Sequence, residues 1–535
     1  MSCKTFPYDA CSETAYQGNP AIRLFGNRMF RDQTSMEFLV EFLLLVVSRK
    51  TIESETIDTT FPSIAFLRNW DNSELKYSPK ARLNLKLFSF LSACRIDSRH
   101  LTHRKHHEEL LQSLSNRIQM TDPGKKEDVI RTLEHLFLGF QGAGGGRTWC
   151  AQSFLPISQG FLAGETIWNE SAARRKPPSD WSNVLDSLST FMTMNKHRFL
   201  ARGGEVLYLQ ICNALGQPEK KIREWVRDKG LEFSTDEQNP EWLHSQLEHE
   251  LEMLMTHCPD GVTEIAEFID GGLDPETPEK TDGTTNNPRL VKAGWCPTES
   301  WQEGYLFAVD LLRLCQASLG VVERLYLLET ESSLHVLRSL AMQSARYVDS
   351  NYENAWPGYC LAVSNPEEGR PALKRISRYT VRAIEKQIFK AIRQSPGNLP
   401  QDKQALEKSL KDADKRYGAK LFVGLAKRIG FIVPRRGAGA RFVLTEQLLR
   451  LLVLTTVSPG SRMTFDTFKR LVALKYGLVF DADGFREASR WVGGTEVYLP
   501  SDTDNWLKEM LEAAGLLIHL SDSCSLVKNP SEKIG

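Results

Sequence analysis

The residues best suited to chemistry in this sequence are basic side chains that gather between positions 420 and 441. Lysine and arginine bind phosphate groups, and the counterions that they displace from a nucleic acid make the contact favourable. Two short apolar runs, residues 431–433 and 442–444, flank a connection that contains Gly437 and Gly439. This pattern predicts a hairpin with an exposed basic loop. The predicted nucleic-acid-binding residues are Lys420, Lys427, Arg428, Arg435, Arg436 and Arg441.

A glycine-rich run at residues 139–147 is a second candidate, for binding an anion. It has five glycines in eight residues and ends in Arg147, so a row of backbone N–H groups could face a phosphate. The Gly-Lys-Ser/Thr of a P-loop is missing, and the run follows a predicted helix where a dinucleotide-binding loop would follow a strand. A flexible link between two helices is the competing interpretation. The anion-binding candidates are Gly142, Gly144, Gly145, Gly146 and Arg147.

Three other patterns of reactive residue types are better explained by structure. His103 and His107 are four residues apart, which is metal-ligand spacing on a helix, but the basic residues between them would repel a cation. Cys150 has no histidine near it in sequence to act as a base. Glu205 and Gln210 fit a degenerate nuclease site only on a strand, whereas the preceding glycines favour the start of a buried helix. We therefore expect no metal and no cofactor, and we assign no catalytic residue.

The elements that would carry these residues are mainly helices. Apolar residues recur at three-and-four spacing through most segments, while alternation with period two is scarce. Thr34 and Glu37 form a capping box at the start of an apolar helix, and a polar loop is expected from the end of that helix to about residue 60. We predict a mainly α, multi-domain helical protein whose few strands are concentrated after residue 430.

Residues 377–457 have the order helix, helix, strand, basic loop, strand, which resembles a winged-helix domain. The resemblance implies that the arginines of the loop contact a nucleic-acid backbone and that the helix at residues 420–429 enters a major groove. Many winged helices dock on proteins instead, so protein docking is the alternative. Helices followed by a hairpin recur in residues 458–535, which predicts a second, less basic winged-helix-like unit.

Composition divides the chain into several predicted domains, since 535 residues are too many for one ordinary core. The clearest linker is residues 271–294, which are rich in proline, glycine and small polar residues. The predicted division is an N-terminal helical domain with the glycine-rich loop at 1–168, an acidic helical middle domain at 169–270, the linker, a helical hairpin domain at 295–370, the basic winged-helix-like domain at 371–457 and the second unit at 458–535.

Charge is segregated along the chain although its formal net charge is zero. Residues 371–470 contain 22 lysines and arginines against 7 aspartates and glutamates, a net of +15. Residues 231–290 contain 2 against 15, a net of −13. The first segment suits a polyanion, and the second would repel one or bind a basic protein. Two solvated faces that offset each other are the simpler alternative.

The ten cysteines are scattered and form no Cys-x-x-Cys pair, which is typical of reduced thiols in a cytosolic protein. The N-terminus lacks an apolar signal core, and the most apolar segment, residues 38–47, is too short to span a bilayer. We expect a cytoplasmic protein that does not enter the membrane.

The sequence favours a non-enzymatic subunit of a larger assembly that contacts nucleic acid, most simply double-stranded DNA, and docks on other protein subunits. The alternatives are a divergent nuclease or nucleotide-dependent enzyme, and a scaffold that binds protein only. In overall character the chain loosely resembles uncharacterised subunits encoded in bacterial anti-phage defence operons, for instance in its apolar helix at residues 37–47 and the glycine-rich stretch before Arg147 and Trp149. This resemblance assigns no residue roles.

Overall fold

A computed structural model of the chain confirms the mainly helical fold class. The structure describes residues 19–26, 29, 31, 33–52, 55–69, 75–78, 112, 114–120, 122–138, 203–255, 291–293, 295–348, 356–394, 400–494, 498–500, 502–521 and 524–531. The histidine pair at 103 and 107, the glycine-rich run and Cys150 lie outside these residues. Within them, no helix is both long enough and apolar enough to cross a membrane.

The helices of the described residues are α1 Pro20–Phe25, α2 Ser35–Val47, α3 Ile64–Leu67, α4 Lys126–Leu138, α5 Gly203–Leu215, α6 Glu219–Asp228, α7 Pro240–Met255, α8 Trp301–Gln316, α9 Val321–Val348, α10 Pro371–Gln394, α11 Lys403–Arg416, α12 Ala419–Arg428, α13 Glu446–Thr456, α14 Phe465–Tyr476, α15 Ala482–Trp491 and α16 Asn505–Ala513. Local signals start several of them. At α2, the predicted capping box is present, because the Thr34 side chain accepts from the Glu37 N–H while the Glu37 side chain accepts from the Thr34 N–H.

The strands of the described residues are β1 Arg49–Ile52, β2 Glu55–Ile57, β3 Lys76–Ser78, β4 Val291–Lys292, β5 Leu361–Ser364, β6 Ile432–Val433, β7 Arg441–Val443, β8 Arg462–Thr464, β9 Leu478–Val479, β10 Leu517–Ser521 and β11 Cys524–Lys528. They form three small sheets, with strand orders β2-β1-β3-β4, β10-β11-β8 and β6-β7-β5-β9. The last sheet is mixed: β5 pairs in parallel with both β7 and β9, whereas β6 and β7 are antiparallel.

The first of these sheets corrects the expectation that strands concentrate after residue 430. The segment predicted to be a polar loop after α2 is an antiparallel hairpin of β1 and β2, and β4 lies within the predicted linker. A buried lysine explains the exception: the Lys50 ammonium donates to the carbonyls of Val46, Ser48 and Thr59, 2.9–3.1 Å away. Burial lowers the pKa of Lys50 to about 7.

Helix α5 lies at the centre of the packing, between α2 and α8. Glycines allow the close approach on both sides: a Cβ at Gly204 would lie 2.4 Å from the Phe38 carbonyl oxygen, and one at Gly304 would lie 2.0 Å from that of Gln210. One hydrophobic core runs from Ala21 to Val527 and contains side chains of all these helices. The predicted domain boundaries remain predictions.

Six buried ionisable side chains, which we call the core ion cluster, join distant parts of the chain: Glu237, Asp310, Arg313, Glu331, Arg338 and Lys475. On one side, the Arg313 guanidinium donates to both Glu237 oxygens at 2.6 and 2.9 Å. Arg313 and Lys475 also both donate to the Thr455 carbonyl oxygen, at 2.7 and 2.8 Å. The cluster thus fastens α8 to the segment before α7, to the end of α13 and to α14.

The other side of the cluster centres on Asp310, which accepts from Arg338 and the Tyr476 hydroxyl at 3.0 Å each and from Lys475. Burial opposes ionisation of Asp310, but the charges of Lys475 and Arg338 outweigh it and hold its pKa below the ordinary value. Burial, together with the Asp310 charge, raises the pKa of Glu331 well above its usual range.

Removing one cation from the core ion cluster should destabilise the folded protein. We expect Arg338→Met to lower the free energy of unfolding by roughly 3–5 kcal/mol, because Asp310 would lose one of its two buried counter-charges. The matched control is Arg393→Met, which breaks a half-exposed ion pair with Asp414 and should cost at most about 1 kcal/mol. Urea denaturation measures both, and equal losses in the two variants would contradict the assignment.

Glu329 on α9 gives a pH-dependent prediction. Burial raises its pKa from 4.5 to about 7, so between these values the unfolded chain releases a proton that the folded chain keeps. Folding stability should therefore fall as pH rises from 4.5 to 7, and Glu329→Gln should remove that loss, on the order of 3 kcal/mol at pH 8 and nothing at pH 4. Thermal melts against pH measure it, with the exposed Glu407→Gln on α11 as control. Parallel pH profiles for wild type and Glu329→Gln would refute it.

Candidate nucleic-acid interface

The hairpin predicted from the glycines is present as β6 and β7. The strands are antiparallel, with Ile432 opposite Phe442 and Val433 opposite Arg441. In their connection, Gly437 and Gly439 have φ of +93° and +87°, a left-handed conformation that favours glycine. The hairpin is anchored by buried rings, since Phe442 lies 4.8 Å from Phe431 and 6.4 Å from Phe422 between ring centroids.

The hairpin loop exposes two of its three predicted arginines. Arg435 and Arg436 are exposed and make no ion pair with any described residue. Arg441 is partly buried: its guanidinium donates to the Ser364 hydroxyl at 2.9 Å and to the carbonyls of Asn365 and Pro366 at 3.0 and 2.6 Å. Arg441 therefore fastens β7 to the end of β5, and its hydrogen-bonding groups face protein where the sequence predicted phosphate.

Helix α12 carries the other three predicted residues, and only part of its outer face is open. Arg428 donates to the main-chain carbonyls of Arg31 and Gln33, so the N-terminal segment covers the end of the helix. Lys420 is exposed and Lys427 is half-buried. Lys420 and Lys427 thus remain candidates, and Arg428 is exposed but already donates to carbonyls of the N-terminal segment.

The strongest basic feature is on α10, which the sequence analysis did not single out. Its buried face is mostly apolar. The exposed face carries a row of cations that we call the α10 stripe: Arg375, Arg378, Arg382, Lys386 and Lys390. Their spacings of three, four, four and four residues place them on one face. That periodicity is readable in the sequence.

None of the five stripe residues pairs with an acid in the part of the chain that the structure describes. Like charges at i,i+4 cost a helix about 0.2–0.5 kcal/mol per pair, and the stripe contains three such pairs in series. Arg393 on the same helix shows the contrast, since it donates to both Asp414 oxygens at 3.1 and 2.7 Å. The stripe is therefore a concentration of like charge on one face of α10.

The stripe and the hairpin form one surface. A Cβ at Gly439 in the loop would lie 3.7–3.8 Å from the guanidinium of Arg378, so the two elements meet there. Further along α10, Glu385 lies within the electrostatic influence of Lys427 and Arg382. Burial raises the pKa of Glu385 despite these two cations. The surface therefore runs from the loop arginines along α10, with Lys427 beside it.

The residues considered for catalysis have structural roles where the structure describes them. Glu205 and Gln210 lie on the predicted buried helix α5. Glu205 accepts from the Tyr77 hydroxyl at 2.7 Å, and Gln210 accepts from His335 Nε2 at 2.7 Å. Across the described ranges, no group of three or more histidine, cysteine, aspartate and glutamate side chains is arranged to hold a metal ion.

Comparison with known proteins identifies no relative. No protein-family model matches the chain, and no curated protein sequence or solved structure matches it. The winged-helix resemblance is therefore supported only by the order of its elements, and the functional argument depends on the surface just described.

The different roles of the hairpin arginines can be tested by measuring the free energy of unfolding of alanine variants. Arg441→Ala leaves a hydroxyl and two carbonyls without their donor, and we expect it to lower the free energy of unfolding by about 1–3 kcal/mol. Arg435→Ala removes an exposed side chain and should change it by less than about 0.5 kcal/mol. Urea titration of both variants decides the point. A neutral Arg441→Ala would return Arg441 to the list of side chains available to a ligand.

Proposed function

We propose that this protein is a non-enzymatic subunit that binds the backbone of double-stranded DNA through the α10 stripe and the adjoining hairpin loop. The observation that carries the proposal is the row of five cations on α10, none of which forms an ion pair within the described residues. Cations that serve only solubility are normally interspersed with acids. A row of like charges lowers the stability of the helix, and it is suited to a ligand of opposite charge.

The dimensions of the surface support a duplex. Arg375 and Lys390 are fifteen residues apart, so the stripe extends about 22 Å along the helix. This is the length of about six base pairs, over which both strands present a phosphate charge roughly every 1.7 Å. The stripe can therefore contact several phosphates together, while Arg435 and Arg436 reach the backbone from the loop. Such contacts position a protein on DNA without reading its sequence.

Protein docking, the second part of the predicted function, is supported by a different surface. Val322 and Tyr326 on α9 are 55% and 53% exposed, and they line a shallow cleft with Gln447 and Arg450 of α13. Exposed apolar side chains that share a cleft are typical of protein contacts. We propose that this surface contacts another subunit. Membership of an anti-phage defence system remains a prediction from resemblance.

The salt dependence of DNA binding tests the main proposal. Replacing Arg375, Arg378 and Arg382 together by alanine should reduce the slope of log affinity against log salt by roughly 2–3 units, because each lost phosphate contact releases about 0.9 fewer counterions. The loss of affinity should be similar for unrelated duplex sequences. Fluorescence anisotropy with short blunt duplexes at several salt concentrations measures both.

Helix α6 offers a matched control for this experiment. Lys220, Arg223 and Arg227 have the same three-and-four spacing and are exposed, but each pairs with a neighbouring acid. Their triple alanine variant removes the same charge and should leave the salt slope unchanged. Equal slopes for wild type and the α10 variant, or no binding of a blunt duplex by wild type at low salt, would overturn the proposal.

A further inference from the structure

A cleft of about 610 Å³ opens between α10 and the turn that follows α15. One wall is the exposed face of α10, and the other contains Trp491 with the glycines after it. Its principal lining residues are Tyr379, Arg382, Lys386, Lys390, Trp491 and Gly493. The volume is within the range of pockets that bind small ligands, about 300–1,000 Å³.

The charge of this cleft is of one sign. Arg382, Lys386 and Lys390 line it, and none of its described lining residues is an aspartate or glutamate. A neighbouring cleft shares Trp491 but mixes its charges: there Lys469 lies 3.1 Å from Asp481 and 2.6 Å from Asp504. Among the described residues, acids therefore line the cleft on one side of Trp491 and not the cleft on its α10 side, which suits the α10 side to an anion.

Aromatic side chains give the cleft a second chemical character. Tyr379 is 43% exposed and lies one helical turn before Arg382 on the same face. Trp491 lies on the facing wall, partly buried against the core. Beside it, Gly493 has φ of +74° and open space where a Cβ would be, so the backbone leaves room for a ligand. An exposed aromatic ring beside a line of cations is the arrangement with which proteins hold a stacked base and its phosphates.

We propose that this cleft binds an unpaired nucleotide, with its base stacked on Tyr379 and its phosphates held by Arg382, Lys386 and Lys390. The inference rests on the proposed function and makes it more specific. The preferred ligand becomes a duplex that carries a single-stranded extension, with the duplex on the loop side of α10 and the extension in the cleft.

The test compares three probes with the full-length protein: a blunt duplex, the same duplex with a ten-nucleotide single-stranded extension, and that duplex with an extension of abasic sites. Wild type should bind the extended duplex about 5- to 150-fold more tightly than the abasic one, which is the effect of one stacked base. The abasic extension keeps every phosphate, so the comparison isolates stacking from charge.

Variants of Tyr379 locate the effect. Tyr379→Ala should remove the preference for the extended duplex over the abasic probe and leave the affinity for the blunt duplex unchanged. Tyr379→Phe should retain that preference because the ring remains. Tyr326→Ala, which removes an exposed tyrosine from α9, is the control and should bind as wild type does.

The two proposals fail in different ways. If wild type shows no preference for the extended over the abasic probe, or if Tyr379→Ala keeps the preference, the cleft proposal is overturned while salt-dependent binding of the blunt duplex still stands. If the extended probe binds through Tyr379 but the blunt duplex does not bind at low salt, the duplex proposal is overturned and the cleft proposal is supported.

Discussion

The core ion cluster is the constraint on which the arrangement of helices depends. Its members come from the segment before α7, from α8, from α9 and from α14, and they lie up to 238 positions apart, from Glu237 to Lys475. A buried charge without its partner is strongly destabilising, so an arrangement of these helices that separated the paired charges would be disfavoured. The cluster fixes α9, and α9 supports α10 directly: the Gln387 amide donates to the carbonyls of Ala341 at 3.4 Å and Gly358 at 3.3 Å.

Buried polar contacts also decide which face of α10 meets solvent. Ser377 accepts from the Phe442 N–H at 2.9 Å and donates to the Phe442 carbonyl at 3.3 Å, so the hairpin strand is held against the inner face of the helix. Arg441 holds the same strand to β5. Arg441, at this inner contact, donates to protein carbonyls, whereas the α10 stripe residues form no ion pair within the described residues. The division between structural and available arginines therefore follows from the fold, although all of them look alike in sequence.

The parts of this structure that were predictable from the sequence are those set by local rules. The capping box at Thr34, the helices with three-and-four spacing and the hairpin around Gly437 each depend on residues within a few positions of one another. The contacts that the sequence did not predict join distant residues: Arg428 and Gln33 are 395 positions apart, and Arg441 and Ser364 are 77 apart. The hairpin of β1 and β2 was missed for a similar reason, because a polar run that includes Lys50 reads as a loop until α2 and Thr59 supply carbonyls for the ammonium.

The zero net charge of the chain is no obstacle to binding a polyanion, because the acids and bases are used differently. In the acidic segment, three of the described carboxylates pair with arginines of the same molecule: Glu232 with Arg470, Glu237 with Arg313 and Glu241 with Arg68. Within the part of the chain that the structure describes, no residue of the α10 stripe forms such an ion pair, and Glu385 interacts with Arg382 only at longer range. At physiological ionic strength, charges are screened beyond about 8 Å, so a ligand near α10 responds to the local excess of cations and not to the total for the chain. A neutral protein with this distribution can attract nucleic acid at one surface and remain inert to it elsewhere.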